Sequence, residues 1–171
     1  MTSKLPRRLV WAVEMLDVKP DDRILEIGCG HGVAVALICE KLSSGTITAI
    51  DRSAKAIETA RARNGRCVAS SRASFHTVAL ADVSLAGQRF GKIFAVNVNV
   101  FWLKPARELI ALKHLLAPDG ALYLFYETPA PGKTAEVAEK ARFNLEKGGF
   151  VVDETQFGEA GACIVARRAG S

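Results

Sequence analysis

A glycine-rich turn governs what this chain can become. Arg23-Ile24-Leu25-Glu26-Ile27 is apolar apart from its first residue and one carboxylate, and it runs into Gly28-Cys29-Gly30-His31-Gly32. From Val33 to Leu42 the pattern turns helical, and Ser43-Ser44-Gly45 closes it. A strand apolar on both faces belongs inside a sheet that is covered on both sides. Closely spaced glycines let the chain reverse sharply and let a ligand approach the backbone.

The same rhythm repeats downstream. Thr46–Ile50 is a second β-branched run ending at Asp51, and Ser53 is placed to cap a helix over Ala54–Arg63 that Asn64-Gly65 stops. Phe75–Leu80, followed by Ala81-Asp82, is expected as the third strand, and Lys92–Val98 as the fourth. Pro105 suits the first turn of a helix over Ala106–Leu116, and Pro118-Asp119-Gly120 reads as a turn before a fifth strand at Ala121–Tyr126. After a loop from Thr128 to Lys133 comes a helix to Lys147, stopped by Gly148-Gly149. Phe150–Thr155 and Ala162–Ala166 then form a hairpin, too closely joined for a crossover helix. Alternating strands and helices give an α/β fold, a doubly wound and mostly parallel sheet with helices on both faces and an antiparallel strand at its end. Residues 1–171 are expected as a single domain, with 1–20 an amphipathic N-terminal helix or lid and 22–167 the core.

The net charge of +5 permits anionic partners, nucleic acid among them. The basic residues are scattered, however (Lys4, Arg7 and Arg8; Arg61, Arg63 and Arg66; Arg167 and Arg168), whereas a nucleic-acid footprint clusters on one face. Cys29, Cys39, Cys67 and Cys163 show neither a CxxC nor a zinc-ligand spacing. Free thiols in a reducing cytoplasm, and no metal, are therefore expected. The apolar stretch after Arg7-Arg8 is cut by Glu14 and Asp17, too soon for a targeting core, and no stretch is long enough to span a membrane. A cytoplasmic protein of open oligomeric state is the expectation.

In a doubly wound sheet, ligands sit beyond the carboxyl ends of the strands. Asp51 lies 21 residues beyond Gly30, a spacing that suits an acid accepting from ribose hydroxyls. Dinucleotide sites use GxGxxG, but here the third glycine comes one residue early and Glu26 stands two before the first. A carboxylate there repels a pyrophosphate and attracts a cation. S-adenosylmethionine, which carries an ammonium and a sulfonium and no phosphate, fits that charge; a nicotinamide-binding domain is the distant alternative.

The stretches Ile24–Gly32, Thr48–Ser53, Ala79–Val83, Lys92–Asn99 and Leu116–Phe125, in that order, resemble the class I S-adenosylmethionine-dependent methyltransferases. The resemblance covers about Asp22 to Arg167. It implies that Gly28, Gly30 and Gly32 face the methionine part, with Cys29 in the same loop and Glu26 near the ammonium. It implies that Asp51 holds the ribose, flanked by Arg52 and Ser53. Ala81 and Asp82 would hold the adenine, and Asn97 would lie beside the transferable methyl. The implied strand order is 3-2-1-4-5-7-6, the seventh antiparallel. Ordinary alternatives remain: Glu26 as a strand end, Asp51 as a helix cap, Asp82 as a turn residue.

A sulfonium is a good leaving group, so the reaction needs in-line placement more than covalent help, and placement alone is worth roughly 7–11 kcal/mol. Asn97-Val98-Asn99-Val100 replaces the Asn/Asp-Pro-Pro-Tyr of enzymes that methylate exocyclic amines, and no cysteine follows a proline as in covalent cytosine methylation. No catalytic residue is assigned, because His76 and His114 fall within a strand and a helix. Trp11, Asn99, Trp102, Tyr126 and Glu127, with Phe101, are the candidates for the acceptor side, the aromatics having plain packing as their alternative. A small-molecule acceptor leads. RNA or protein methylation, and cofactor binding without turnover, are the alternatives.

Overall fold

The computed structural model describes residues 4–85 and 87–170, so the first three residues of the expected N-terminal segment lie outside it. The central strand is β1 (Arg23–Ile27), with β2 (Thr46–Asp51) and β4 (Phe90–Val96) parallel on either side. β3 (Ala73–Thr77) extends the sheet beyond β2, and β5 (Leu116–Tyr126) beyond β4. β6 (Phe150–Gly158) and β7 (Gly161–Arg168) form the closing hairpin, with β7 antiparallel to β5. The order is β3-β2-β1-β4-β5-β7-β6, as the resemblance implied.

Alternation along β1 divides the core. Ile24 packs with α1 (Arg7–Met15), α2 (Val33–Cys39) and α3 (Ala54–Arg63) on one face. Leu25 and Ile27 pack with α5 (Ala106–Leu115) and α6 (Pro131–Lys147) on the other. All four residues after Arg23 are buried, as a central strand requires. No helix among the described residues is long and apolar enough to cross a membrane.

Several boundaries differ from the sequence reading. β3 begins and ends earlier than expected, because its partner β2 runs out at Asp51, opposite Thr77. Val78 to Leu80 therefore leave the sheet, and Leu80–Asp82 form a 3₁₀ turn. β4 also ends two residues early, so that Asn97 follows it directly with a left-handed φ of 54°. Pro118-Asp119-Gly120 does not precede β5. It is absorbed within that strand, where the register jumps from Phe90↔Leu116 to Lys92↔Ala121.

The larger correction concerns the cysteines. Asn64 ends α3 as expected, but the chain at once turns a further short helix, α4 (Gly65–Ala69). That helix carries Cys67 to the end of α2, where it forms a disulfide with Cys39 across 28 residues of sequence. Spacing along the chain carries no trace of a contact made by the packing of two helices. Cys29 and Cys163 are free and buried.

Candidate functional site

A cleft of about 570 Å³ opens at the carboxyl ends of the parallel strands, with Gly28, Asp51, Arg52, Asn97 and Asn99 in its walls. Asp51 ties the glycine turn to the start of α3. One carboxylate oxygen accepts from the Gly30 N–H at 2.9 Å, the other from the Ser53 N–H at 2.9 Å. The helix cap itself is Ser53, whose Oγ accepts from the Ala56 N–H. A carboxylate has about four acceptor positions, so two remain for hydroxyl donors in the cleft.

The three glycines answer to different constraints. All have positive φ, which side chains seldom adopt. A Cβ on Gly28 would lie 2.8 Å from Val98, and one on Gly32 would lie 2.7 Å from the Asn64 amide and 2.9 Å from Ala60. At Gly30 it would meet nothing within 4 Å. Gly30 thus leaves room for a ligand against the backbone, while Gly32 is packed against α3.

Glu26 is the most unusual group. It is 3% exposed, and its Oε2 has no hydrogen-bond partner. Burial, with Asp51 nearby, pushes its pKa up to about 8. Such a carboxyl is costly to keep ionised without a partner, and a cation brought beside it would supply one. The Cys29 thiol next to it is likewise pushed upward, first by burial and then by these two carboxylates, so it stays protonated and is a poor nucleophile.

The turn after β3 is arranged less simply. Ala79 and Leu80 line the cleft, but Ala81 faces a second cavity, and Asp82 is paired with Arg107 at 2.7 Å near the surface. Asn97 stands in the cleft wall, its Oδ1 accepting from the Glu127 N–H at 2.8 Å. Its left-handed backbone is one that asparagine tolerates better than most residues.

With this geometry in hand, comparison with known proteins is decisive for the family. A family model described as a methyltransferase domain matches residues 24–120, more than half of the chain. The chain belongs to that methyltransferase domain family. Among curated relatives, an uncharacterised protein of Synechococcus is 38% identical over 103 residues, covering 60% of this chain but only 25% of the relative. YrhH of Bacillus subtilis, a provisionally named methyltransferase, is 26% identical over 155 residues, covering 90% of this chain and 82% of its own. A solved structure from Aquifex aeolicus, titled a SAM-dependent methyltransferase, superposes with a TM-score of 0.75 at 17% identity, over 92% of this chain and 88% of the other. That likeness speaks for the fold.

The matched stretch of the methyltransferase domain ends at residue 120, so Trp11, Tyr126 and Glu127 lie outside it. Trp11 is packed edge-on against Phe125, ring centroids 5.5 Å apart, and lines a separate surface cavity rather than the cleft. Phe101 is fully buried and Tyr126 nearly so, the Tyr126 hydroxyl donating to the Val98 carbonyl at 3.3 Å. Both belong to the core, the packing alternative. Trp102 stays partly exposed; its Nε1 donates to Asn99 Oδ1 at 3.3 Å, and Lys133 Nζ stands 5.9 Å from its ring centre. Glu127 faces Arg8 across 3.6 Å. His76 lies in β3, and His114 lines the second cavity from α5.

The sequence reading missed Glu108 in the cleft wall. Val78 and Ala79 line it too, because the strand expected to hold them stops at Thr77. Glu108 had no signal beyond its place in the first turn of α5.

Proposed function

We propose that this methyltransferase domain binds S-adenosylmethionine in the cleft beside the glycine turn and methylates a small-molecule acceptor. The carrying observation is Glu26, a buried carboxyl whose Oε2 has no hydrogen-bond partner among the described residues, two positions before Gly28 of the cleft wall. The chain's residues fit this cofactor and suit a dinucleotide poorly, since a pyrophosphate brings no cation to the buried Glu26 carboxyl. When bound, S-adenosylmethionine supplies a methyl group already activated on a sulfonium. Glu26 would hold the ammonium and Asp51 the ribose hydroxyls, with Gly28, Cys29, Gly30 and Gly32 shaping the loop and Arg52 at its rim. Ala79 and Leu80 would bound the adenine, while Ala81 faces the second cavity. Asp82 reaches the adenine only by leaving Arg107.

The chain's part in the chemistry is placement. Asn97 and Asn99 stand in the cleft wall, and Trp102 donates to Asn99 Oδ1 from beside it. The reading is in-line displacement without a covalent enzyme intermediate: the Cys29 thiol of the glycine loop is kept protonated by burial and makes a poor nucleophile. Arg7 and Arg8, which an RNA-binding edge would leave open to phosphates, are engaged by Glu159 and Glu127. That favours the small acceptor over the macromolecular one.

Titration calorimetry with S-adenosylhomocysteine, then transfer of labelled methyl into separate metabolite and RNA pools, tests the proposal. Binding together with label among metabolites is expected. Absence of binding would sink the cofactor assignment, and label confined to RNA would replace the acceptor.

A further inference from the structure

Helix α2 carries the glycine turn at its N-terminus, and a single stretch of chain, residues 63–72, grips it at both ends. At the turn, Arg63 Nε donates to the His31 carbonyl at 3.0 Å, and the Asn64 amide donates to the Gly32 carbonyl at 3.0 Å and to Ala60 at 2.9 Å. At the far end, Cys67 is bridged to Cys39, the last residue of α2. Arg72 then donates to the Cys39 carbonyl at 3.1 Å and the Leu42 carbonyl at 2.9 Å. Asn64 is 4% exposed and leaves its own Oδ1 without a partner. An apolar residue would fill that volume without an unpaired polar atom, so what its amide adds is the hold on the turn.

We propose that residues 63–72 form a reducible brace on the glycine turn, with Arg63 and Asn64 as positioning residues and the Cys39–Cys67 bridge as the link through which thiol state sets cofactor affinity. The affinity part rests on the cofactor assignment above; the brace does not. The bridge closes a loop that contains β2 and Asp51, so opening it frees α2 and α4 to move apart while the hydrogen bonds at the turn are left to hold alone. The reductant is a dithiol. Its thiolate attacks one sulfur of the bridge, the Cys39–Cys67 bond breaks, two electrons and two protons pass to the cysteines as thiols, and the dithiol closes to its own disulfide. Cys67 is partly exposed on α4 and is the reachable sulfur, whereas Cys39 is buried.

The test uses the whole chain purified without reductant, before and after dithiothreitol, beside Asn64→Ala, Arg63→Ala and the Cys39→Ser/Cys67→Ser pair. Amide hydrogen exchange over residues 30–36 needs no ligand. It should rise on reduction and in each variant, with exchange in β5 and β7 unchanged, a contrast that general destabilisation would not produce. The dissociation constant for S-adenosylhomocysteine should rise on the order of tenfold for Asn64→Ala, the scale of one hydrogen bond. It should rise severalfold on reduction, and the serine pair should no longer respond to dithiothreitol. Arg63 is exposed, so its variant tests the turn even if Asn64→Ala does not fold. Four free thiols in the untreated protein, or exchange at 30–36 indifferent to reduction and to Arg63→Ala, would overturn the brace. Altered exchange without any S-adenosylhomocysteine binding would leave the brace standing and overturn the cofactor assignment along with the affinity part.

Discussion

The surroundings of the glycine turn and the contacts of α1 are held by very different forces. On the glycine-turn side, Asp51 accepts from two backbone amides, Asn64 and Arg63 hold two carbonyls of the turn, and a disulfide joins the helices behind it. At α1, by contrast, the helix meets the loop after β5 and the β6–β7 turn through ion pairs, Arg8–Glu127 at 3.6 Å and Arg7–Glu159 at 2.7 Å, the latter 68% and 86% exposed. Exposed pairs contribute about 0–1 kcal/mol and weaken with salt. One side is built to keep its shape, the other to tolerate change.

The largest effect should come from filling the rigid side. Gly32→Ala adds a Cβ at a φ of 74°, 2.7 Å from the Asn64 amide, and should destabilise by about 3 kcal/mol, read by urea unfolding. A cost below about 1 kcal/mol would mean that the turn can yield. Next, Asp51→Ala should weaken S-adenosylhomocysteine binding by about 2 kcal/mol in calorimetry, the worth of hydrogen bonds to a charged acceptor. Unchanged binding would reduce Asp51 to a tie between the turn and α3.

Glu26 gives a prediction with opposite signs for stability and binding. Its carboxyl has a pKa of about 8 in the fold against an ordinary value of 4.5, so the native state keeps a proton that the unfolded chain has already lost. Ligand-free stability therefore falls as pH rises between about 4.5 and 8, whereas affinity for an ammonium-bearing ligand rises, by up to about tenfold per pH unit. Glu26→Gln should remove both slopes, stabilise the ligand-free protein at pH 8, and impair binding. A flat binding profile between pH 6 and 8 in the unmutated protein would count against the ammonium contact. The smallest effect belongs to the tolerant side. Arg8→Ala should change stability by less than about 0.5 kcal/mol and leave S-adenosylhomocysteine binding intact, while shifting KM for an acceptor once one is known. A loss of cofactor affinity there would erase the contrast between the two sides.

How far the site could be read in advance follows the same division. The strand–glycine turn–acid arrangement was legible because its parts are short local patterns: Ile24, Leu25 and Ile27 are apolar, glycines alternate from Gly28 to Gly32, and Ser53 caps the helix that follows Asp51. Asp82 and the aromatics were harder. Whether Asp82 turns to adenine or to Arg107 depends on a residue from α5, and Tyr126 and Phe101 are as well suited to a core as to a pocket.

The chain's pattern alone was enough for the α/β class and for the hairpin at its end. Those depend on apolar periodicity and backbone freedom, which are properties of neighbours in sequence. Tertiary structure alone decided that Cys39 and Cys67 meet, that Gly32 is packed against α3 while Gly30 faces open space, and that Glu26 is left without a partner. Each of these is a distance between segments far apart in the chain, and burial sets its energy only once the helices are docked on the sheet.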